Sequence, residues 1–191
     1  MMFGNMEILG NERKGIQMLK GKTVILGVTG SIAAYKTAYL ASMLVKLRCE
    51  VHVIMTKNAV NFINPITFET LTGHKCLVDT FDRNFTFNVE HVALAKQADA
   101  VLVAPATANV IGKMAHGLAD DMLTTTVLAC TCKKIVSPAM NTGMYRNEMV
   151  QNNIEALKKH GFEVISPAAG RLACGDVGDG KMPEPEELVE T

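Results

Sequence analysis

TVILGVTGSIAAYKTAYLASMLVKL, residues 23–47, decides the fold. After Thr23 its next five residues are apolar without polar alternation, the pattern of a strand covered on both faces. Thr29-Gly30-Ser31 interrupts that run, with Ser31 placed as an N-cap. A helix follows whose apolar residues are Ile32, Ala33, Tyr35, Leu40, Met43, Leu44 and Leu47. A buried strand that turns through glycine into a helix is the opening unit of a parallel α/β sheet.

The same alternation continues outward. Strands are expected at 50–55, 100–104, 134–137 and 163–166. Helices are expected at 58–64, interrupted by Pro65, and at 66–71, 91–97 and 108–114. Asp120-Asp121 opens another through 128, with helix-dipole and cap stabilisation as their expected job. The last spans 147–160 and stops at Gly161. Residues 84–88 are polar and read as a loop. Strands and helices at this spacing predict a single doubly wound parallel sheet, flavodoxin-like or Rossmann-like, in three layers. Residues 1–20 read as an N-terminal extension and 21–191 as one domain. Residues 167–185 carry four Gly and three Pro and read as a mobile flap over the substrate rather than a core element.

Composition narrows the class. The chain is 48% hydrophobic over 191 residues, enough for a sizeable core. Its formal net charge is zero and no Lys/Arg cluster occurs, which argues against nucleic acid and anionic membranes as partners. No apolar run reaches the ~18–20 residues of a membrane span, and the N-terminus lacks a signal-peptide pattern. Five cysteines, Cys49, Cys76, Cys130, Cys132 and Cys174, are an odd set without framework spacing and read as reduced thiols of a cytoplasmic protein. Cys130 and Cys132 are too close for usual zinc pairing, and no metal site is expected.

The chemistry-bearing residues fall at the carboxyl ends of the expected strands, where open α/β sheets bind ligands. Residues 101–104 run into PATAN at 105–109, and 135–137 into PAMN at 138–141. Small residues let a planar ligand approach the backbone, and Asn offers a donor and an acceptor. The GVTGS turn, 27–31, sits at a helix start, where backbone N–H groups attract phosphate. It lacks the full G-x-G-x-x-G, and Thr56 stands where a dinucleotide fold places a carboxylate, so a mononucleotide such as a flavin fits better. His91 precedes the helix and strand that lead to PATAN, which places it within reach of the same edge. His52, His74, His116 and His160 read as structural or exposed, because nothing in the sequence converges on them. Met140 and Met144 flank Asn141 as candidates for lining a pocket. Cys174, between Ala173 and Gly175, reads as an accessible, reactive thiol.

These motifs, GVTGSIAAYK, His91 before VALAKQAD, APATAN, GLADDMLT, PAMNTGM and ACGDVGDGKMPEP, occur in the order found in the homo-oligomeric flavin-containing cysteine decarboxylases, and the chain resembles that family from about residue 18 to 187. Within it the resemblance is strongest to members that convert 4′-phosphopantothenoyl-cysteine to 4′-phosphopantetheine in coenzyme A biosynthesis, often as the N-terminal half of a bifunctional protein fused to a phosphopantothenate–cysteine ligase. The resemblance implies FMN as cofactor, thioaldehyde and ene-thiolate intermediates, and assembly as trimers or dodecamers of trimers. It implies that Gly30, Ser31, Ile32 and Thr56 hold the FMN phosphate end, and that Thr107, Ala108, Asn109 and Ala139 line the flavin. It implies catalytic roles for His91, Asn141 and Cys174, and substrate contacts from Asn141, Met144 and Ala173. Two residues depart from the family pattern: Tyr145 stands for Trp, and Lys181 for Arg, which keeps the charge but loses the planar fork. A peptidyl-cysteine decarboxylase, a flavin prenyltransferase and a non-catalytic FMN-binding regulatory subunit are the competing functions.

Overall fold

A computed structural model describes residues 19–80, 90–171, 175 and 177–191, with the backbone alone at Glu90, His91 and Arg171. The expected loop at 84–88 and the site residues Ala173 and Cys174 lie outside the described residues. Five strands, β1 (Thr23–Val28), β2 (Glu50–Met55), β3 (Ala100–Ala106), β4 (Lys133–Pro138) and β5 (Glu163–Val164), form one parallel sheet in the order β2-β1-β3-β4-β5. The helices are α1 (Ala34–Lys46), α2 (Pro65–Thr72), α3 (Glu90–Gln97), α4 (Ala108–Ala115), α5 (Met122–Ala129), α6 (Thr142–Tyr145), α7 (Glu148–Lys159) and α8 (Pro185–Val189).

Both faces of the sheet are covered, which explains the continuous apolar runs. Val24, Leu26 and Val28 pack on one face against Leu40 and Leu44 of α1, Phe68 of α2 and Leu188 of α8. Ile25, Val101 and Val103 pack on the other against Leu94 of α3, Ile111 of α4, Leu123 of α5 and Leu157 of α7. Each such side chain contributes about 1.5–3 kcal/mol on full burial, so this two-sided apolar layer dominates the stability of the fold.

Local signals set the helix ends. Asn64 caps α2, its Oδ1 accepting from Ile66 N at 3.1 Å, and Pro65 takes the first helical position. Gly73 closes the same helix in the left-handed conformation, at φ 75°. Asp121 caps α5 in a reciprocal box with Thr124, so its cap role stands.

Two expectations are corrected, and one segment gains regular structure. The segment expected as a helix at 58–64 contains only a single turn of 3₁₀ helix, Ala59–Asn61, and Pro65 begins α2 instead of interrupting a helix. The buried face of α1 is Ala34, Lys36, Thr37, Leu40, Ala41 and Leu44, whereas Ile32 and Tyr35 are exposed. The apolar periodicity was misleading there because two polar residues, Lys36 and Thr37, find buried partners on the sheet side. Within 167–185, β6 (Ala168–Arg171) and β7 (Val177–Lys181) pair antiparallel, Met182 is 1% exposed, and α8 begins at Pro185. Gly and Pro there set the strand geometry and the helix start. Among the described residues, no helix is long and apolar enough to cross a membrane.

Candidate functional site

In the order β2-β1-β3, the chain leaves β1 on one side and returns on the other. The crevice at the carboxyl ends of β1 and β3 is therefore the switch point where such sheets take ligands. The turns after these two strands flank it, and buried Thr29 ties them together. Its hydroxyl donates to Pro105 O at 2.7 Å and accepts from Thr107 N at 3.1 Å. Thr107 caps α4, its Oγ1 accepting from Val110 N at 3.4 Å, which starts the helix at Ala108 and leaves Asn109 exposed on its first turn. Ala139 is buried beside them, its N donating to Ala106 O at 3.0 Å.

Gly30 lets the end of β2 close against this crevice. A Cβ at residue 30 would lie 2.7 Å from Asn58 Cβ and 3.2 Å from Asn58 C, closer than a side chain permits. Ser31 stands in the turn before α1, where its Oγ accepts from Ala33 N at 3.3 Å and keeps its own O–H as a donor. Thr56 N donates to Val28 O at 3.0 Å, while Thr56 Oγ1 is buried with no partner among the described residues. Such a hydroxyl costs about 1–3 kcal/mol unless a ligand satisfies it. A glycine cradle, the Ser31 hydroxyl beside a helix start and the Thr56 hydroxyl fit the phosphate end of a mononucleotide. Gly30, Ser31 and Thr56 would hold that end, and Thr107, Ala108, Asn109 and Ala139 would border the ring.

The third wall is residues 138–141, with the β6–β7 hairpin fastened over it. Asn141 caps α6, its Oδ1 accepting from Gly143 N at 2.8 Å and Met144 N at 3.4 Å. Met140 N donates to Gly180 O at 3.0 Å. Gly180 adopts φ 127°, and a Cβ on it would overlap Met140 O. Gly178 is equally confined, since its Cβ would meet Thr142 Oγ1 at 2.7 Å. The Arg146 guanidinium donates to Asp179 Oδ2 at 2.8 Å from the same side. On the far side Lys36, only 8% exposed, donates to Met182 O at 3.2 Å and to Glu184 Oε1 at 2.8 Å. The hydrogen bond from Lys36, and then that from Lys181, hold the Glu184 carboxyl below its usual range. Lys181 thus pairs within the chain, with Glu184 at 3.1 Å, and Tyr145 packs half-buried against the core.

The structure therefore brings Gly30, Ser31, Thr56, Thr107, Ala108, Asn109, Ala139 and Asn141 to one edge of the sheet. Ile32 is 57% exposed and Met144 49% exposed at its margin. His91 has its backbone in the first turn of α3, and its side chain lies outside the described residues, as do Ala173 and Cys174. Sequence reasoning missed Thr29, Lys36 and Gly180. A lysine inside a helix that packs on a sheet was the available signal for Lys36; nothing local marked Gly180. The reading of His52 and His74 as isolated is also corrected: their rings stack at 4.4 Å, and His74 Nε2 lies 2.6 Å from Glu50 Oε1. Burial raises the Cys49 thiol to about 11, and burial with the Glu69 carboxylate raises Cys76 to about 12, so both are unreactive at neutral pH. A cavity of about 440 Å³ lined by Met114, Leu128, Lys134, His160 and Phe162 opens near the start of β4, at the opposite edge from the crevice.

A parallel sheet of this order, with a glycine turn at the switch point between β1 and β3, defines an open α/β protein of the kind that takes ligands at that crevice. The chain belongs to the Flavoprotein family, whose model matches residues 12–191. It is 47% identical over 173 residues to the coenzyme A biosynthesis bifunctional protein CoaBC of Bacillus subtilis (strain 168), covering 91% of this chain and 43% of that protein. The chain thus spans less than half the length of the bifunctional relatives it matches. It is 43% identical to a probable phosphopantothenoylcysteine decarboxylase of Streptococcus mutans, covering 88% of this chain and 96% of that one. Among solved structures, the FMN-dependent cysteine decarboxylase SpaF superposes with a TM-score of 0.76 at 31% identity, covering 90% of this chain and 95% of the other.

Proposed function

We propose that this chain binds FMN and decarboxylates 4′-phosphopantothenoyl-cysteine to 4′-phosphopantetheine. The observation that carries the reading is the fastening of β7 across residues 138–141 at the edge where Thr56 Oγ1 awaits a partner. That arrangement supplies a phosphate pocket, a flat wall of small residues and a roof in one place. The relatives' names support the flavin and the substrate, and the near-complete match to the Streptococcus mutans protein supports an activity held within this length of chain.

Loss of CO₂ from an ordinary N-acyl cysteine would leave an unstabilised carbanion. When bound, FMN would supply a two-electron acceptor for the carbon bearing sulfur, with no net redox change over the whole reaction. The chain's own residues orient and protonate. Asn141, whose Oδ1 caps α6, holds the substrate carboxylate or amide. Met144 and Ala173 border the substrate. His91 moves the proton at the substrate thiol, and Cys174, in the segment joining β6 to β7, donates the proton that completes reduction. The hairpin excludes water while these steps occur and opens for product. Exposed Ile32 in the turn before α1 and Tyr35 and Tyr39 on α1, with Phe62 and Ile66 on the neighbouring segment, support assembly into trimers or dodecamers of trimers. The bifunctional relatives support a fused or separate phosphopantothenate–cysteine ligase as a functional partner.

The test incubates the FMN-loaded chain with 4′-phosphopantothenoyl-cysteine and, separately, with a peptide ending in cysteine, and follows CO₂ and product mass. Turnover of the first alone is expected. Turnover of only the peptide would replace this reading with peptide modification, and a yellow protein inert toward both would replace it with flavin binding or prenyl transfer. Cys174→Ser is expected to keep FMN and CO₂ release while an oxidised, decarboxylated product accumulates. His91→Asn is expected to keep the colour and lose thiol oxidation.

A further inference from the structure

A second cluster of chemistry-bearing side chains lies away from the switch-point crevice, at the outer edge of the sheet. Strand β2 is the edge strand, and Glu50 and His52, two residues apart, project on the same side of it. The segment after α2 returns along that edge. Leu77 N donates to Val53 O at 2.9 Å, and Met55 N donates to Leu77 O at 2.8 Å. Gly73 supplies the left-handed turn that aims the chain back, and His74 N is held by Thr72 Oγ1 at 3.2 Å. Backbone geometry thus fixes both sources of the cluster before any ligand arrives. One ligand atom from each of Glu50, His52 and His74 lies within 4.8 Å of the other two.

We propose that Glu50, His52 and His74 form a binding site for a divalent transition ion of the zinc class. Two imidazoles and a carboxylate are a donor set such ions favour. At metal–ligand distances of 2.0–2.2 Å, a tetrahedral ion holds its ligand atoms about 3.3 Å apart, so side-chain movements of about 1 Å bring the cluster onto it, the 2.6 Å His74–Glu50 contact opening as they do. Glu50 is exposed and both histidines are partly exposed, which leaves a route for the ion and a coordination position for water. The adjacent thiols are excluded as ligands: Cys49 and Cys76 are 8% and 5% exposed, inside the core. An ion here clips residues 73–77 to β2 and stabilises the sheet edge by its binding free energy. The site is independent of the flavin and of the decarboxylation proposed above.

The test is equilibrium dialysis of the full chain against zinc chloride with a chelating competitor, together with thermal melts with and without zinc. One zinc per chain and a raised melting temperature are expected. His52→Ala, His74→Ala and Glu50→Gln should each weaken binding by at least about tenfold and abolish the zinc-dependent rise in melting temperature. Glu50→Gln and His74→Ala alter exposed or partly exposed groups and keep the test valid if His52→Ala fails to fold. The double variant His116→Ala/His160→Ala, and separately Cys174→Ser, should bind zinc as the unaltered chain does. Absence of saturable zinc, full binding in His74→Ala and Glu50→Gln, or loss of binding in Cys174→Ser would each overturn the site.

Discussion

Gly180→Ala tests whether the roof over the site depends on one backbone position. Gly180 sits at φ 127°, where an L-residue is strained by about 1–3 kcal/mol. The new methyl also overlaps the carbonyl oxygen of Met140, a backbone atom that yields only if the two segments part. Parting breaks the 3.0 Å bond from Met140 N to Gly180 O, a further loss of about 0.5–1.5 kcal/mol. These costs bear on the docking of β7 on residues 138–141, because none of the sheet's own ladder is touched. A loss of about 3 kcal/mol shifts that docking equilibrium by about a hundredfold. Amide hydrogen exchange read at Met140 should therefore accelerate by about that factor, while amides of β1 and β3 keep their protection. Turnover of the phosphorylated substrate should fall with it, and FMN should remain bound through the Gly30 and Thr56 side of the crevice. Unchanged exchange at Met140 would refute the claim that the hairpin is held there. Accelerated exchange with full turnover would refute the claim that its closure matters to chemistry.

Other consequences follow from the same geometry. Thr56→Val removes a buried hydroxyl that lacks a partner, so the flavin-free protein should melt no lower than the unaltered chain. FMN affinity, read by flavin fluorescence titration, should drop by about tenfold, the equivalent of about 1.4 kcal/mol. Lys36→Met keeps the side chain's bulk but strips Met182 O and Glu184 of a charged donor. Half-exposed Glu184 rehydrates, so urea unfolding should show a loss of about 1.5–3 kcal/mol, and a loss under 0.5 kcal/mol would contradict the buried pairing. The thiols of Cys49 and Cys76 ionise near 9.0 when unfolded but only near about 11 and about 12 in the fold. Between those limits the unfolded chain binds fewer protons, so stability should fall as pH rises above about 9 in chemical-denaturation series. Cys49→Ala/Cys76→Ala should flatten that fall.

The parallel sheet, the order of its strands along the chain and the ends of several helices were legible in the residues themselves. The runs at 24–28 and 100–104 are apolar throughout because both faces of the sheet are covered, and that pattern is local. Asn64-Pro65, Gly73 and Asp121 mark their helix ends through bonds spanning only a few residues. The edge carrying PATAN and PAMN was legible too, since every parallel strand sends its following residues to the same end. Tertiary structure alone decided the rest. Lys36 is buried because Met182 O, 146 residues away, accepts from it. Composition marks 167–185 as loop-like, yet β6 and β7 pair and dock because Gly178 and Gly180 meet Thr142 and Met140 across a distant turn. Glu50, His52 and His74 converge only because the chain returns along β2 after α2. Propensity, periodicity and capping act over a turn or two of chain. The partners of a buried charge, a confined glycine and a histidine pair are chosen by how the layers pack, and no short stretch of residues records that choice.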